Sequence, residues 1–214
     1  LIDDLRELSW EVSAILLYYY QILKDSNNKS NILKNGNFED PVTEADLKVN
    51  EVIIQKINEK YKNVNWEILS EENVKTASKN CDLRNDWVWV LDPLDGTKDF
   101  IQGTGNFAMH LALNYKKKPY IGVVLIPEKN ELWIATAEKV WCEQKNGVIK
   151  YPASSKNKKL NQMVIVTSKN HRNQILKKLI EKVDFAEVVI MGSIGCKIAS
   201  ILRGECDIYI SLSL

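Results

Sequence analysis

The stretch that decides the fold is residues 87–97, which read WVWVLDPLDGT. Its first five residues are apolar and β-prone, which is typical of a strand buried on both faces. The strand leads into two carboxylates three positions apart, Asp92 and Asp95. Pro93 fixes one backbone angle and Gly96 permits a sharp bend. The stretch therefore predicts a buried strand that ends in a turn and holds both carboxylates toward one place.

Two carboxylates a few Å apart repel each other unless a cation lies between them. Ligand sets made only of oxygen favour Mg²⁺ over zinc. Ordinary turn chemistry also explains this spacing, and the pair Glu71-Glu72 also fits a solvated corner. Asp46 by itself fits a helix cap. All these acidic groups lie at element ends, however, where α/β sheets bind ligands, so the residues indicate a candidate hard-metal site.

Periodicity outlines the N-terminal part of the chain. Apolar residues at helical spacing predict a helix over residues 1–24, and a polar, asparagine-rich loop follows over 25–40. Thr43 and Asp46 have the spacing of a capping box, so we expect a helix from there to about Tyr61. Further strands are predicted over residues 66–70 and 87–91, each directly before an acidic motif. Several more strands, separated by turns, are predicted over residues 107–136.

The C-terminal part alternates strands and helices. We expect strands over 163–167, 188–191 and 207–212, with helices over 173–183 and 194–202. The pattern changes near Ala153. We therefore predict an α/β fold in two halves, residues 1–152 carrying the metal site and residues 153–214 shaping the substrate site.

Composition excludes several classes of partner. The chain has 29 basic and 28 acidic residues, so nothing in its charge favours a nucleic acid polymer or a membrane surface. No apolar run reaches the roughly 20 residues of a membrane-spanning helix. The four cysteines, Cys81, Cys142, Cys196 and Cys206, have no zinc or redox spacing. They fit buried thiols in a reducing cytoplasm.

Three motifs carry a family resemblance. Residues 92–100, DPLDGTKDF, resemble the signature of the inositol monophosphatase superfamily. Residues 40–46, DPVTEAD, resemble its first motif, and residues 69–72, LSEE, its second. The resemblance implies the layered αβαβα sugar-phosphatase fold. It also implies a phosphatase that acts on a small-molecule phosphate ester.

Within this superfamily, Lys98 and Asp99 resemble the 3′(2′),5′-bisphosphate nucleotidases. These enzymes convert adenosine 3′,5′-bisphosphate to AMP in sulfur metabolism. Inositol monophosphatase or broad sugar-phosphate phosphatase activity stays open, as does an inactive relative that binds metal or a partner. The branch also implies a cytoplasmic location, with peripheral attachment at the inner membrane face left open, and the family often forms homodimers.

The resemblance assigns the metal ligands. Glu71, Asp92 and the carbonyl of Leu94 would hold one Mg²⁺, and Asp92 with Asp95 a second. The family uses two or three ions and is inhibited by Li⁺. Its metal site ends with a Trp-Asp pair after the strand that corresponds to 207–212. The 214 residues stop before that pair, so we expect it in a continuation of the chain and expect no activity without it.

The resemblance also assigns the catalytic residues. Asp46 and Thr97 would position and deprotonate the attacking water, with Glu71 beside them. The amides of Gly96 and Thr97 would face the phosphate, a role that suits the start of a helix.

The substrate-binding residues implied by the resemblance are His171, Ser193 and Lys197. A helix cap at His171 and a solvated helix position at Lys197 are the alternatives. His110 lies in an alternating strand and is interpreted as structural. Many nucleotidases carry a basic residue after the tyrosine that corresponds to Tyr209, where this chain has Ile210 and Ser211. That departure weakens the case for a bisphosphorylated substrate.

Overall fold

The computed structural model describes residues 1–25, 43–76, 85–154, 157–169 and 174–211. Several expectations lie outside these ranges: the polar loop after residue 25, Asp40, Pro41 and Val42 of the first motif, Cys81, and His171.

The first 150 residues form helices and one large sheet. Among the described residues of this part, the α-helices are α1 (Ile2–Asp25), α2 (Glu44–Lys60), α3 (Glu71–Thr76) and α4 (Thr97–Gln102). The strands are β1 (Glu67–Ser70), β2 (Trp87–Asp95), β3 (Ala108–Tyr115), β4 (Lys118–Ile126), β5 (Glu131–Thr136), β6 (Val140–Glu143) and β7 (Ile149–Lys150). They lie side by side in chain order. Strands β1 and β2 are parallel, and every later pair is antiparallel.

Strand β2 differs from the prediction in one respect. We expected the strand to end before the acidic motif, but it continues to Asp95, and its register against β3 shifts between Asp92 and Asp95. Pro93 has no N–H to donate to the ladder, and a bulge accommodates such a residue within a paired strand. The two carboxylates therefore stand on a bulged strand end and not on a free turn.

Helices α1 and α2 cover one face of the large sheet. Their buried residues join those of β2–β5 in one core, with Val12, Leu16, Val49 and Ile53 fully buried. The predicted capping box at the start of α2 is confirmed: the Thr43 side chain accepts from the amide of Asp46, and the Asp46 carboxylate accepts from the amide of Thr43. This cap holds the Asp46 side chain at the sheet end where β2 finishes.

The remaining strands form a smaller parallel sheet. Strands β8 (Val164–Ser168), β9 (Glu187–Met191) and β10 (Ile208–Tyr209) lie in the order β10-β8-β9. Helix α5 (Gln174–Val183) connects β8 to β9, and α6 (Ile194–Leu202) connects β9 back to β10. Of the predicted strand 207–212, the described residues pair only at Ile208 and Tyr209.

Helix α6 lies between the two sheets. It contacts β3 and β4 of the large sheet and all three strands of the small one. Because the two crossovers run in opposite directions along the small sheet, right-handed connections place α5 on the outer face, opposite α6. The layers are thus helix, sheet, helix, sheet and helix, which confirms the predicted α/β class.

The two sheets lie on either side of the predicted boundary near Ala153, since β7 ends at Lys150 and β8 begins at Val164. We retain the division into residues 1–152 and 153–214 as a proposal. Across the described ranges, no helix combines the length and the apolar character that crossing a membrane requires.

Candidate active site

The hydroxyl of Thr97 joins two of the predicted site elements. Thr97 is the first residue of α4, and its Oγ1 lies 2.9 Å from the carbonyl oxygen of Leu94 and 3.3 Å from Oδ1 of Asp46. Asp46 comes from α2 and Leu94 from the bulged end of β2. The structure therefore brings residues 51 positions apart into one hydrogen-bonded group.

Asp46 is almost completely buried, and burial raises the pKa of its carboxyl to about 7. The nearby charge of Glu72 acts in the same direction. The opposing effect comes from Thr43, whose amide and hydroxyl donate to Oδ2 at 2.8 and 2.5 Å. A carboxyl group with a pKa near neutrality suits a general base that must take and release a proton.

Asp92 lies beside Glu71, the first residue of α3. Burial raises the pKa of Asp92 to about 8, and repulsion from Glu71 and Asp95 adds to that effect. The side chain of Glu71 is thus close enough to Asp92 to contribute to its raised pKa. The amide of Leu94 donates to Oδ1 of Asp92 at 3.1 Å and opposes the raised pKa. These carboxyl groups are close enough that a cation would relieve their repulsion.

Asp95 has a different environment. Its Oδ2 accepts hydrogen bonds from the hydroxyl of Ser193 at 2.6 Å and the amide of Gly195 at 2.9 Å, and Nε2 of His110 lies 3.2 Å away. Burial acts to raise the pKa of Asp95, but the contacts with His110, Ser193 and Gly195 prevail and lower it. Asp95 is therefore the ionised carboxylate of the group.

The donor chemistry fits a hard divalent cation. Glu71, Asp92 and Asp95 supply carboxylate oxygens. The carbonyl oxygen of Leu94, which accepts from the Thr97 hydroxyl at 2.9 Å, lies on the same end of β2 as Asp92 and Asp95. Burial is the largest cause of the raised pKa of Asp92 and the nearby charges of Glu71 and Asp95 add to it, so a bound cation would offset those charges. Within the described part of the chain, however, no three His, Cys, Asp or Glu side chains are already arranged to hold a metal ion. The fit therefore rests on the carboxylate donors and their mutual repulsion.

Helix α4 begins at the site with Gly96 as its N-cap residue, in a left-handed conformation with φ of 87°. The carbonyl of Gly96 accepts from the amide of Phe100 at 2.9 Å, which closes the first turn. Because the N-cap residue is glycine, no N-cap side chain covers the first amides of the helix. The amides of Gly96 and Thr97, which are predicted to face the phosphate, thus follow directly after the carboxylate residue Asp95 in the chain.

Two of the predicted substrate-binding residues are buried. Ser193 is fully buried, donates to Asp95 and accepts from the amide of Cys196 at 3.0 Å. Lys197 is 2 % exposed, because α6 lies between the two sheets, and its Nζ lies 2.8 Å from the carbonyl oxygen of Gly192 and 3.0 Å from Oγ of Ser168. Burial lowers the pKa of Lys197. The alternative of a solvated helix position at Lys197 is therefore wrong.

The residues that pointed to the nucleotidase branch lie on α4. Asp99 is 3 % exposed and accepts from the hydroxyl of Thr104 at 2.9 Å, while Nζ of Lys169 lies 3.7 Å from it. Lys98 is half-buried. Asp99 thus connects α4 to the C-terminal half of the chain.

Sequence reasoning missed one residue of the site. His110 was interpreted as a structural strand residue, but it lies opposite Asp92 in the β2–β3 register and contacts Asp95. A histidine within the otherwise apolar run 107–113 was the available signal. Periodicity could not find the contact, because it does not say which strand becomes the neighbour.

The chain is similar in sequence to known proteins. The model of the inositol monophosphatase family matches residues 2–214. The 3′(2′),5′-bisphosphate nucleotidase CysQ of Escherichia coli K12 is 30% identical over 171 residues, which cover 79% of this chain and 65% of that protein. The protein of the same name from Aggregatibacter actinomycetemcomitans is 28% identical over 214 residues, 99% of this chain and 75% of the relative. The chain thus spans 65% of the length of its Escherichia coli relative and 61% of that of its Buchnera aphidicola relative.

Solved structures share the fold. An IMPase of Thermotoga maritima superposes with a TM-score of 0.76 at 24% identity, covering 97% of this chain and 74% of the other. Inositol monophosphatase-II of Staphylococcus aureus superposes with a TM-score of 0.69 at 24% identity, with coverages of 97% and 71%. At these identities the superpositions establish the layered fold.

Proposed function

Because the chain belongs to the inositol monophosphatase family, we propose that it is a Mg²⁺-dependent phosphomonoesterase that removes the 3′-phosphate of adenosine 3′,5′-bisphosphate and yields AMP. The observation that carries the proposal is the position of the Thr97 hydroxyl between Asp46 and the carbonyl of Leu94, next to the carboxyl pair of Glu71 and Asp92. Members of this family generally depend on Mg²⁺.

The chain's own residues would handle the water. The Thr97 oxygen accepts a hydrogen bond from the water, and the Thr97 hydroxyl donates to Asp46, whose pKa of about 7 lets it take the proton. The water attacks phosphorus in line as the bond from phosphorus to the ester oxygen breaks, and the leaving oxygen takes up a proton from solvent water to become the alcohol. No residue is phosphorylated. The amides of Gly96 and Thr97 orient the phosphate at the start of α4.

The metal site in this proposal is made of Glu71, Asp92, Asp95 and the carbonyl of Leu94, with two or three ions and inhibition by Li⁺. When bound there, the ions would neutralise negative charge on the phosphate and would act as Lewis acids in the displacement. Bound cations would also offset the mutual repulsion of Glu71, Asp92 and Asp95.

The nucleotide preference rests on the nucleotidase relatives at about 30% identity and on Lys98 with Asp99. Ser193, Lys197 and His171 remain the proposed substrate-binding residues. Inositol monophosphatase activity is the second candidate. Ile210 and Ser211 favour it, since no basic residue follows Tyr209 where a second phosphate would need one.

Phosphate release by the full-length gene product distinguishes the two candidates. With Mg²⁺ present, adenosine 3′,5′-bisphosphate and inositol 1-phosphate are compared at equal concentration. A strong preference for the nucleotide supports the first function, and a preference for the inositol ester supports the second. Release from neither substrate would refute both.

A cytoplasmic location and a homodimer also belong to the proposal. Size-exclusion chromatography tests the homodimer.

A further inference from the structure

One oxygen of Asp95 is held from both halves of the molecule. Ser193 and Gly195 reach Oδ2 from the segment between β9 and α6, at 2.6 and 2.9 Å. Nε2 of His110, on β3, lies 3.2 Å from the same oxygen, in a polar contact that lacks the geometry of a hydrogen bond. Asp95 therefore connects the end of β2 to the C-terminal half through this oxygen.

This arrangement leaves Oδ2 little further capacity. A carboxylate oxygen has about two lone-pair sites for hydrogen bonds. The hydroxyl of Ser193 and the amide of Gly195 fill them, and His110 adds a third polar contact on the same oxygen. The other oxygen, Oδ1, is then the one that Asp95 can present to a cation or a substrate.

Gly195 is shaped to let the imidazole approach. A Cβ atom at this position would lie 2.3 Å from Nε2 of His110, 2.8 Å from Cγ1 of Val124 and 3.0 Å from Cβ of Ala108. All three neighbours belong to the large sheet, so the helix could carry a side chain here only by moving away from it. The close approach of α6 to β3 and the contact of His110 with Asp95 thus depend on one glycine.

We propose that His110 is a positioning residue for the metal site: with Ser193 and Gly195 it holds Oδ2 of Asp95, so that Asp95 binds a cation through Oδ1 in one fixed orientation. The inference rests on the proposed function for its metal. It also gives Ser193 a role that acts through Asp95, which agrees with the complete burial of Ser193.

The test measures binding of Mg²⁺ alone to the full-length gene product by titration calorimetry. Losing a group that orients a metal ligand typically weakens metal binding by about 10–100-fold, and we expect this loss for His110→Leu. His110→Gln places an amide nitrogen near the position of Nε2 and should keep binding within about threefold of wild type. Asn114→Leu makes a similar change on the same strand, four residues farther from the site, and should bind as wild type does.

Gly195→Ala is the second variant, because α6 could accommodate its Cβ only by moving away from His110, Val124 and Ala108, and that shift would also draw the Gly195 amide away from Asp95. We expect the same weakening of Mg²⁺ binding, and a loss of kcat that added Mg²⁺ partly restores. Wild-type affinity in both His110→Leu and Gly195→Ala would overturn the proposal, and so would an equal loss in His110→Gln and His110→Leu. If wild type releases no phosphate but Mg²⁺ affinity follows the expected order, the proposed function fails and the role of His110 stands.

Discussion

Gly192→Ala should destabilise the protein, because Asp99 occupies the space that a side chain would need. A Cβ atom on Gly192 would lie 1.9 Å from Oδ2 of Asp99 and 3.0 Å from its Cγ. Asp99 is buried and held by the hydroxyl of Thr104 at 2.9 Å, so its carboxylate cannot move aside without losing that bond. The close approach of Asp99 to Gly192 connects α4, which carries Thr97, to the turn before α6.

The magnitude follows from two costs. Overpacking a well-packed site costs about 1–3 kcal/mol, and losing a hydrogen bond to a charged acceptor costs about 1.5–3 kcal/mol. We therefore expect the free energy of unfolding to fall by about 2.5–6 kcal/mol. Because Asp99 lies two residues after Thr97, displacement of its side chain should also lower kcat.

Urea denaturation of the full-length gene product measures this change. Gly122→Ala is the matched control, since its Cβ would have Ala112 as its nearest neighbour, at 3.8 Å, and it should change stability by less than about 1 kcal/mol. In an Asp99→Ala background the clash disappears, so Gly192→Ala should then cost less than about 1 kcal/mol. The reasoning is refuted if Gly192→Ala is as stable as Gly122→Ala, or if its cost is the same with and without Asp99.

Two further predictions concern the proposed base and its partner. Thr97→Ala should lower kcat by about 100-fold with little change in KM, because the hydroxyl is proposed to orient the water and not the substrate. Steady-state kinetics measures both constants, and an unchanged kcat would remove Thr97 from the mechanism. Asp46 holds a proton in the folded protein up to a pH of about 7, whereas the unfolded chain releases it near its ordinary pKa of 3.8. Without metal, wild type should therefore lose roughly 4 kcal/mol of stability relative to Asp46→Asn as the pH rises from about 4 to about 7. Denaturation in EDTA measures this difference, and a difference that does not change with pH would contradict the buried, proton-binding Asp46.

The sequence was sufficient for features that depend on neighbouring residues. The capping box at Thr43 is confirmed, because it joins groups three positions apart. The predicted helix over 194–202 is also confirmed, and its apolar periodicity could be recognised because it depends only on residues within that helix. The resemblance of the three motifs to one family is confirmed by the family match over residues 2–214. The site roles taken from that resemblance stay predictions.

Features that join distant residues could not be predicted. Periodicity showed that His110 lies on a strand, but only the folded sheet brings it to Asp95, 15 positions away. Lys197 was predicted to bind substrate, with a solvated helix position as the alternative, and the sequence did not show that it is buried because α6 lies between two sheets. The end of β2 was also misplaced, since a bulge at Pro93 lets the strand continue to Asp95 where turn residues suggested a stop.

The most direct test of the central claim is phosphate release from adenosine 3′,5′-bisphosphate by wild type and by Asp92→Asn, with Mg²⁺ and with EDTA. Asp92 is the carboxyl that both Glu71 and Asp95 repel, so its charge should be the one that cation binding needs most. We predict release by wild type with Mg²⁺ alone and no measurable release by the variant in either condition. Near-normal release by Asp92→Asn, or release by wild type in EDTA, would contradict the metal-dependent phosphatase.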